Sequence, residues 1–246
     1  MHPILIASKD RVDNASTIIS LLDEGLEPIV FVEPHEHGEY MKAYHKAKFV
    51  VLQESNKGVS YVRRRIQEHA RENRYHWYWM LDDDIKQVYM VEGGKCLKST
   101  WESVLTEAEH LITKQSMVAI GSLEYQQYAW SAKKNHTFNS YCDVAVLVSV
   151  ENTKQINYRD DCKEDRDFVL QCLSMGYLSM RATHCAFSAP KNGSNKGGLH
   201  EAYKGGLEKH WSTRMVQLWP GICEHQVKGD GRPDVKVNWR HFKARR

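Results

Sequence analysis

The sequence lacks long apolar runs, paired cysteines and a secretion signal. No apolar stretch approaches the roughly 20 residues that a membrane-spanning helix needs. The Met1-His2-Pro3 start has neither the basic region nor the apolar region of a signal peptide. We therefore expect a cytoplasmic protein without a membrane partner. The six cysteines include no C-x-x-C pair, and we expect them to be reduced thiols.

The net charge is also small, but it is unevenly distributed. At +3 it does not by itself indicate a nucleic-acid-binding protein. Seven Lys or Arg and two Asp fall in residues 226–246, a local charge of 7 − 2 = +5. Trp239 and Phe242 lie among them. This basic tail either grips a nucleic-acid backbone while its aromatic rings stack on bases, or it is a solvated terminus.

The composition is that of a globular chain with its own core. Of 246 residues, 41% are apolar and 26% are charged, which excludes a disordered, collagen-like or coiled-coil protein. The length suffices for one large domain or two small ones. No repeat or linker-like segment divides the chain, and we predict one domain.

The first half alternates short apolar runs with helical patterns, an order typical of an α/β sheet. The helices are predicted from Asp13 or Asn14 to Gly25, through Tyr40 and Tyr44, and from a cap at Ser60 to about Asn73. The strands are predicted at residues 3–7, 29–32, 49–52 and 77–81. This order builds a Rossmann-like half whose ligand crevice lies beyond the carboxyl ends of its strands.

The second half is less regular. Ser99 and Glu102 form a capping box that predicts a helix to about Lys114. Five glycines between Lys191 and Gly206 predict a mobile loop, and the two lysines in its residues 191–198 suit a lid over a diphosphate. The remaining predicted elements are strands at 118–120, 142–148 and 178–182, and helices at 165–176 and 207–218.

Three consecutive carboxylates, Asp82-Asp83-Asp84, follow the fourth strand directly. Like charges this close are destabilising unless a cation or a helix terminus offsets them. The position after a central strand favours a hard divalent metal shared with a diphosphate over an acidic helix cap. We therefore predict a metal site at this point.

Other polar groups offer two interpretations each. Glu164 and Asp165 open a predicted helix, where they serve either the helix dipole or catalysis, with Asp167 as an alternative catalytic group. His35 and His37 are spaced H-x-H, but no cysteine or further histidine is near in sequence, so we assign no metal there.

An aromatic segment with a basic end is the candidate acceptor-binding region. Its rings and ammonium groups suit base stacking and phosphate binding, whereas the alternative is a core strand with aromatic packing. The candidate residues are Tyr125, Tyr128, Trp130 and Lys133.

The order of elements, the Asp-x-Asp pair and the later Glu-Asp helix resemble the GT-A glycosyltransferases, which use a nucleotide-sugar donor and a divalent metal. A closer similarity is to the TET/JBP-associated glycosyltransferases, a group that includes the base J glucosyltransferase and phage enzymes acting on hydroxymethylated pyrimidines in DNA. Four segments carry it: Val32 to Glu36, Leu81 to Ile85, Glu164 to Phe168, and Gly197-Gly198 followed by Tyr203.

The resemblance implies a GT-A fold, with a Rossmann-like nucleotide-binding half and a mixed central sheet. The implied parts of the single domain, 1–246, are a nucleotide-sugar half (1–121), an acceptor and catalytic half (122–225) and the basic tail (226–246). Asp165 is the implied catalytic base, beside Glu164. Donor contacts are expected from Gly58, Arg63, Arg64, Asp82 and the loop residue Lys196, and metal contacts from Asp82, Asp84 and either His184 or His200.

The implied activity is inverting and metal-dependent. It moves a sugar from a UDP-sugar, with Mn²⁺ or Mg²⁺, to the hydroxyl of a 5-hydroxymethylated pyrimidine such as 5-hydroxymethylcytosine in DNA. A phage-encoded enzyme would act in the host cytoplasm. The alternatives are a GT-A transferase of polysaccharide or glycoconjugate synthesis and a catalytically silent nucleic-acid-binding domain. A Mg²⁺-dependent phosphohydrolase is disfavoured because the Gly-x-x-x-x-Gly-Lys signature is absent.

Overall fold

A ten-stranded mixed sheet forms the centre of the protein, and a computed structural model describes residues 1–159, 163–190, 206–229 and 231–243. The strands of this sheet are β1 (Ile4–Ala7), β2 (Ile29–Val32), β3 (Lys48–Val51), β4 (Trp77–Asp82), β5 (Gln87–Glu92), β6 (Lys95–Lys98), β7 (Val118–Tyr125), β8 (His136–Phe138), β9 (Ala145–Ser149) and β10 (Leu178–Ser188). A separate hairpin joins β11 (Cys223–Val227) to β12 (Pro233–Val237).

Helices cover both faces of the sheet. Those described are α1 (Ser16–Asp23), α2 (His37–Ala43), α3 (Val59–Glu72), α4 (Trp101–Thr113), α5 (Gln126–Ala129), α6 (Glu164–Ser174), α7 (Leu207–Leu218) and α8 (Arg240–Lys243). Within the described ranges, none of these helices combines the length and the apolar character needed to cross a lipid bilayer.

The strand order is β3-β2-β1-β4-β9-β7-β10-β5-β6, with β8 paired to β10. The first four strands are parallel, as expected for strands joined by crossover helices. β9 runs antiparallel to both of its neighbours, β4 and β7, which makes the sheet mixed. The predicted α/β class with a mixed central sheet is therefore confirmed.

Alternating residues of the central strands pack into two cores, one on each face. In β1, Ile4 and Ile6 pack with α1 and α4, whereas Leu5 packs with α3 and α6. In β4, Trp79 belongs to the first core and Tyr78 to the second. Because the side chains of β1 and β4 are buried on both faces of the sheet, the polar side chains of these segments lie where the strands end.

Two helix caps differ from the sequence prediction. α3 begins at Val59 after Gly58, and the Ser60 hydroxyl donates to the carbonyl of Arg159 at 2.7 Å instead of capping the helix. α4 is capped by Thr100, whose side chain accepts a hydrogen bond from the backbone N–H of Ser103. The capping position thus lies two residues before the predicted Ser60 in α3 and one residue after the predicted Ser99 in α4.

Part of the predicted basic tail forms the β11–β12 hairpin. Asp234 of this hairpin is buried and pairs with Lys163 at 2.8 Å, Arg166 at 3.0 Å and Lys228 at 3.1 Å. Burial acts to raise the pKa of Asp234, but these cations hold it below its usual value. Arg232 also pairs with Glu208. The hairpin is thus tied to the start of α6, which favours a structural role for this part of the tail.

Gly121 of β7 lies where helix α4 packs closely against the strand. A Cβ atom at this position would lie 2.5–2.9 Å from three side-chain atoms of the β-branched Ile112. We expect Gly121→Ala to lower the free energy of unfolding by about 1–3 kcal/mol, measured by urea denaturation. Gly38→Ala is the matched control, because nothing lies within 4 Å of its added Cβ. Equal stability of the two variants would contradict this packing.

Candidate active site

The first turn of α1 is hydrogen-bonded to the backbone of the acidic run, Asp82-Asp83-Asp84, at the end of β4. The Thr17 hydroxyl donates to the carbonyl of Asp82 at 2.7 Å and accepts from the N–H of Ile85 at 2.8 Å. The Thr17 N–H donates to the carbonyl of Asp83 at 3.1 Å. These bonds satisfy the backbone of the turn, so the directions of the three carboxylates are fixed relative to β1 and β4.

The middle carboxylate of the run points into the protein. Asp83 is buried and accepts from the Ser8 hydroxyl at 2.6 Å and from Arg11 at 2.5 Å. The same Arg11 nitrogen contacts Asp84 at 2.9 Å. Burial raises the pKa of Asp83, and the charge of Arg11 opposes this. Arg11 therefore supplies positive charge that lets Asp83 and Asp84 lie side by side.

A second arginine contacts carboxylates at both the end of β4 and the start of α6. Arg63, buried on α3, contacts Asp82 at 3.3 Å and Glu164 of α6 at 3.1 Å. Burial acts to lower the pKa of Arg63, but the charges of Glu164 and Asp82 raise it overall. The guanidinium thus remains a fixed cation between the end of β4 and the start of α6.

These groups border a cavity between β4, β9, α3 and α6. Its polar lining includes Arg63, Asp82, Asp143 and Asp165. Desolvation raises the pKa of Asp82 to about 7, and the charges of Asp84 and Asp83 add to the effect against that of Arg63. The cleft still exposes 41% of the Asp82 side chain, so a bound cation can reach its oxygens. The apolar lining is Met80, Ile120, Cys142, Val144 and Val146, beside Tyr158.

Asp143 is the site residue that the sequence interpretation missed. Burial raises its pKa to about 7, the charge of Asp165 adds to this, and Arg166 and a hydrogen bond from Tyr125 oppose it. The next residue, Val144, has φ of 59°, a left-handed conformation that costs a β-branched residue about 1–3 kcal/mol. The Val144 carbonyl accepts from the N–H of Asp82 at 2.8 Å. A strained turn therefore places Asp143 beside the acidic run.

The structure distinguishes the carboxylates at the start of α6. Asp165 lines the cavity, whereas Glu164 is engaged by Arg63. Asp167 is completely buried and accepts two bonds from Arg159 at 2.8 Å and one from Trp219 at 2.8 Å. Asp167 is thus held by its neighbours and is not among the residues that line the cavity, which favours Asp165 over Asp167 as the catalytic group.

Only one of the two arginines of α3 that were predicted to contact the donor lines the cavity. Arg63 reaches the cavity, but Arg64 donates to the carbonyl of Tyr158 at 3.1 Å and is not among the residues that line the cavity. Adjacent residues of a helix point about 100° apart, which explains the difference. Gly58 has φ of 80° just before α3, so it permits the entry of the chain into the helix. Lys196 lies outside the described residues.

His184 does not join the acidic run. One of its ring nitrogens lies 3.0 Å from Glu107 of α4, and the other lies 3.0 Å from the carbonyl of Asn135. Both nitrogens are therefore engaged away from Asp82 and Asp84, and the expectation that His184 completes their metal shell is corrected. The other candidate, His200, lies outside the described residues.

The predicted acceptor segment is the end of β7 followed by α5, not a continuous strand. The Tyr125 hydroxyl is hydrogen-bonded to Asp143, and its ring lies 6.3 Å from that of Tyr128, centroid to centroid. Tyr128 is 53% exposed and Trp130 is 60% exposed, and Lys133 is also exposed. The aromatic side chains thus extend from the protein surface to the cavity.

The chain matches a glycosyltransferase family in sequence, and its fold is similar to that of a GT-A glycosyltransferase. The sequence profile of the family described as TET-Associated Glycosyltransferase matches residues 2–198, and the chain belongs to that family. The family predicted from the four sequence segments is therefore confirmed. No curated protein matches the chain significantly.

Two solved structures are similar in fold. The first is GalNAc-T7 with UDP, GalNAc and Mn²⁺, which has a TM-score of 0.52 and 10% identity and covers 89% of this chain. The match covers 51% of that chain, so the present chain spans about half of its length. The second is A197 from STIV, with a TM-score of 0.46, 11% identity, and coverage of 78% of this chain and 87% of its own. At 10% identity, the similarity to GalNAc-T7 shows a shared fold and nothing further.

Asp143 gives a testable dependence of stability on pH. A carboxyl with a pKa near 3.9 when unfolded and about 7 when folded binds more protons in the folded state between these values. Its contribution to stability is therefore greatest at low pH and is lost as pH rises through 7. In the metal-free protein, we expect the stability of Asp143→Asn to fall less between pH 4 and pH 8 than that of the wild type. Above pH 7 the variant should be more stable than the wild type.

The measurement is urea unfolding at each pH, with the exposed Asp23→Asn as the control. Asn retains a carbonyl oxygen that can accept from Tyr125, so the variant changes mainly the charge. A stability difference that stays constant across this pH range would contradict the raised pKa.

Proposed function

We propose that this glycosyltransferase is an inverting, metal-dependent enzyme that moves a sugar from a UDP-sugar to the hydroxyl of a 5-hydroxymethylated pyrimidine in DNA. The observation that carries the catalytic part is one cavity bordered by Asp82, Asp165, Asp143 and the cation Arg63. The DNA acceptor rests on family membership and on the aromatic side chains beside that cavity.

The carboxylates fit a divalent cation. Asp82 and Asp84 provide hard oxygen ligands. The pKa of Asp82 is raised first by desolvation and then by the charges of Asp84 and Asp83, and a bound cation would oppose both effects. We assign Mn²⁺ or Mg²⁺ to these two residues. When bound, the cation would neutralise charge on the departing diphosphate. The solved structure of GalNAc-T7 with UDP and Mn²⁺ supports the choice of donor and ion.

The chain's own residues have separate tasks in the transfer. Arg63 stays charged at the cavity wall, where it can contact a donor phosphate. Asp165 removes the proton of the acceptor hydroxyl as the new glycosidic bond forms at the anomeric carbon and the bond to the diphosphate breaks. The configuration inverts because the acceptor oxygen, deprotonated by Asp165, attacks the anomeric carbon from the side opposite to the departing diphosphate. Asp143 places a second carboxyl beside Asp165, with a pKa suited to proton exchange at neutral pH.

The acceptor would approach along the aromatic side chains. Trp130 and Tyr128 are exposed, as are Lys133 and Lys134, which suits base stacking and phosphate contacts. Tyr125 then links this surface to Asp143 through its hydroxyl. A 5-hydroxymethyl group projects into the major groove, where such a surface can reach it.

The activity test is nucleoside mass spectrometry on duplex DNA containing 5-hydroxymethylcytosine, incubated with the protein, Mn²⁺ and a panel of UDP-sugars. We expect a hexose or pentose mass on the modified base and none on unmodified DNA. Asp165→Asn should reduce kcat about 10²- to 10⁴-fold, because it removes the general base. Metal-dependent binding of UDP by the variant serves as its control for folding.

The outcomes of this assay separate the alternatives. UDP binding without transfer to any DNA would reject the DNA acceptor and direct the search to glycans. Transfer at the wild-type rate by Asp165→Asn would reject Asp165 as the base. Salt-dependent DNA affinity with neither UDP binding nor transfer would identify a silent nucleic-acid-binding domain.

Asp84→Asn tests the metal separately from the acceptor. We expect Mn²⁺ to strengthen UDP binding to the wild type at least about tenfold, since a cation between carboxylates and diphosphate is worth several kcal/mol. Asp84→Asn should bind UDP in Mn²⁺ about as weakly as the wild type does in EDTA, by calorimetry. Glu102→Gln, an exposed change on α4, is the control. Unchanged Mn²⁺ dependence in Asp84→Asn would contradict this metal site.

A further inference from the structure

Three potential metal ligands meet at the ends of β1 and β2, apart from the acidic run. A carboxylate oxygen of Asp10, a ring nitrogen of His35 and a carboxylate oxygen of Glu36 all lie within 4.8 Å of one another. Asp10 follows β1, whereas His35 and Glu36 follow β2, and the two strands are parallel neighbours. The sheet therefore brings together groups that are 25 residues apart in the chain.

Buried oxygen atoms in this cluster lack partners. Glu36 is 7% exposed, and its Oε1 accepts from the N–H of Asp10 at 2.6 Å. Its Oε2 is buried without a hydrogen-bond partner among the described residues. Oε2 of the neighbouring Glu33, which is 4% exposed, also lacks a hydrogen bond, whereas Oε1 of Glu33 pairs with Lys9 at 3.1 Å. Buried carboxylate oxygens are costly unless a donor or a cation satisfies them, so this pocket is built for a positive charge.

The surroundings of His35 suit a metal ligand. Its Nδ1 lies 3.7 Å from Oε2 of Glu33 and 3.4 Å from the Ser55 hydroxyl, so a carboxylate stands beside the ring. A carboxylate beside one ring nitrogen is the usual support for a histidine that binds metal through the other. The second histidine of the H-x-H pair differs, because the His37 ring packs edge-on against Phe49 at 5.8 Å between centroids.

We propose that Asp10, His35 and Glu36 form a second cation site, which takes a first-row divalent ion such as Zn²⁺. One imidazole nitrogen and two carboxylate oxygens are ligands that Zn²⁺ accepts, and such a set binds Zn²⁺ more tightly than Mn²⁺. Glu33 supports the histidine and is not required as a direct ligand. The site is independent of the proposed transfer reaction.

The site would fix the loop that carries Arg11. Asp10 has φ of 54°, an uncommon conformation for a residue other than glycine, and it directly precedes the arginine that contacts Asp83 and Asp84. An ion joining Asp10 to the end of β2 would hold this loop in place. The ion thus has a structural effect next to the donor site and no role in bond formation.

The test is calorimetry with Zn²⁺ on tag-free protein that has been stripped with a chelator, without UDP. We expect one equivalent to bind, with a rise in Tm. His35→Ala and Asp10→Asn should each weaken binding at least about tenfold, because each removes a ligand. Asn tolerates the left-handed backbone at position 10, and His35 is 55% exposed, so both variants should fold.

Two controls separate this site from its neighbours. His37→Ala removes the other histidine of the pair, and Asp84→Asn disables the donor-site carboxylates; both should retain the equivalent of Zn²⁺ that His35→Ala weakens. On ¹⁵N-histidine spectra, Zn²⁺ should shift the ring signals of His35 and leave those of His37 in place. Absence of saturable Zn²⁺ binding by the wild type, or undiminished binding by both His35→Ala and Asp10→Asn, would overturn the proposal.

Discussion

Negative charge crowded at one edge of the sheet is the constraint on which the rest of the site depends. Carboxylates of the β4 turn, of Asp143 before β9 and of the first turn of α6 converge because their elements are adjacent in the fold. Two arginines offset this charge, Arg63 from α3 and Arg11 from the loop after β1. Both come from segments distant in sequence, so the site is complete only when the whole Rossmann-like half has folded.

This balance gives the three consecutive aspartates different roles. Asp83 faces inward to Ser8 and Arg11, and its carboxylate is part of the structure. Asp82 borders the cleft and retains a raised pKa although Arg63 is near. The triplet is therefore not three equivalent ligands: successive residues leaving a strand point in different directions, and only some of them can face a donor.

Local patterns predicted the elements well, since apolar runs and helix signals depend on neighbouring residues. The strand at 29–32 and the helix at 207–218 have the predicted bounds. Asp165 lines the cavity, and its role as the base stays a prediction. The β5–β6 hairpin was not predicted, although its Gly93-Gly94 turn is a recognisable signal. Asp143 could not be found, because it follows no motif and its role depends on tertiary contacts with Tyr125 and Asp165. The placement of His184 was missed for the same reason, since His184 lies on strand β10 and its partner Glu107 lies on helix α4.

The loop after β1 shows how such contacts combine. Ser8 holds Asp83, Asp10 meets the end of β2, and Arg11 reaches the acidic run, all within four residues. None of these residues belongs to a recognisable motif, yet together they connect the carboxyl ends of three adjacent parallel strands, β2, β1 and β4. A displacement of this loop would remove the contacts of Arg11 with Asp83 and Asp84 and the hydrogen bond from Asp10 to Glu36 at once. The geometry of the donor site is therefore set as much by the first strand as by the acidic run that identifies it.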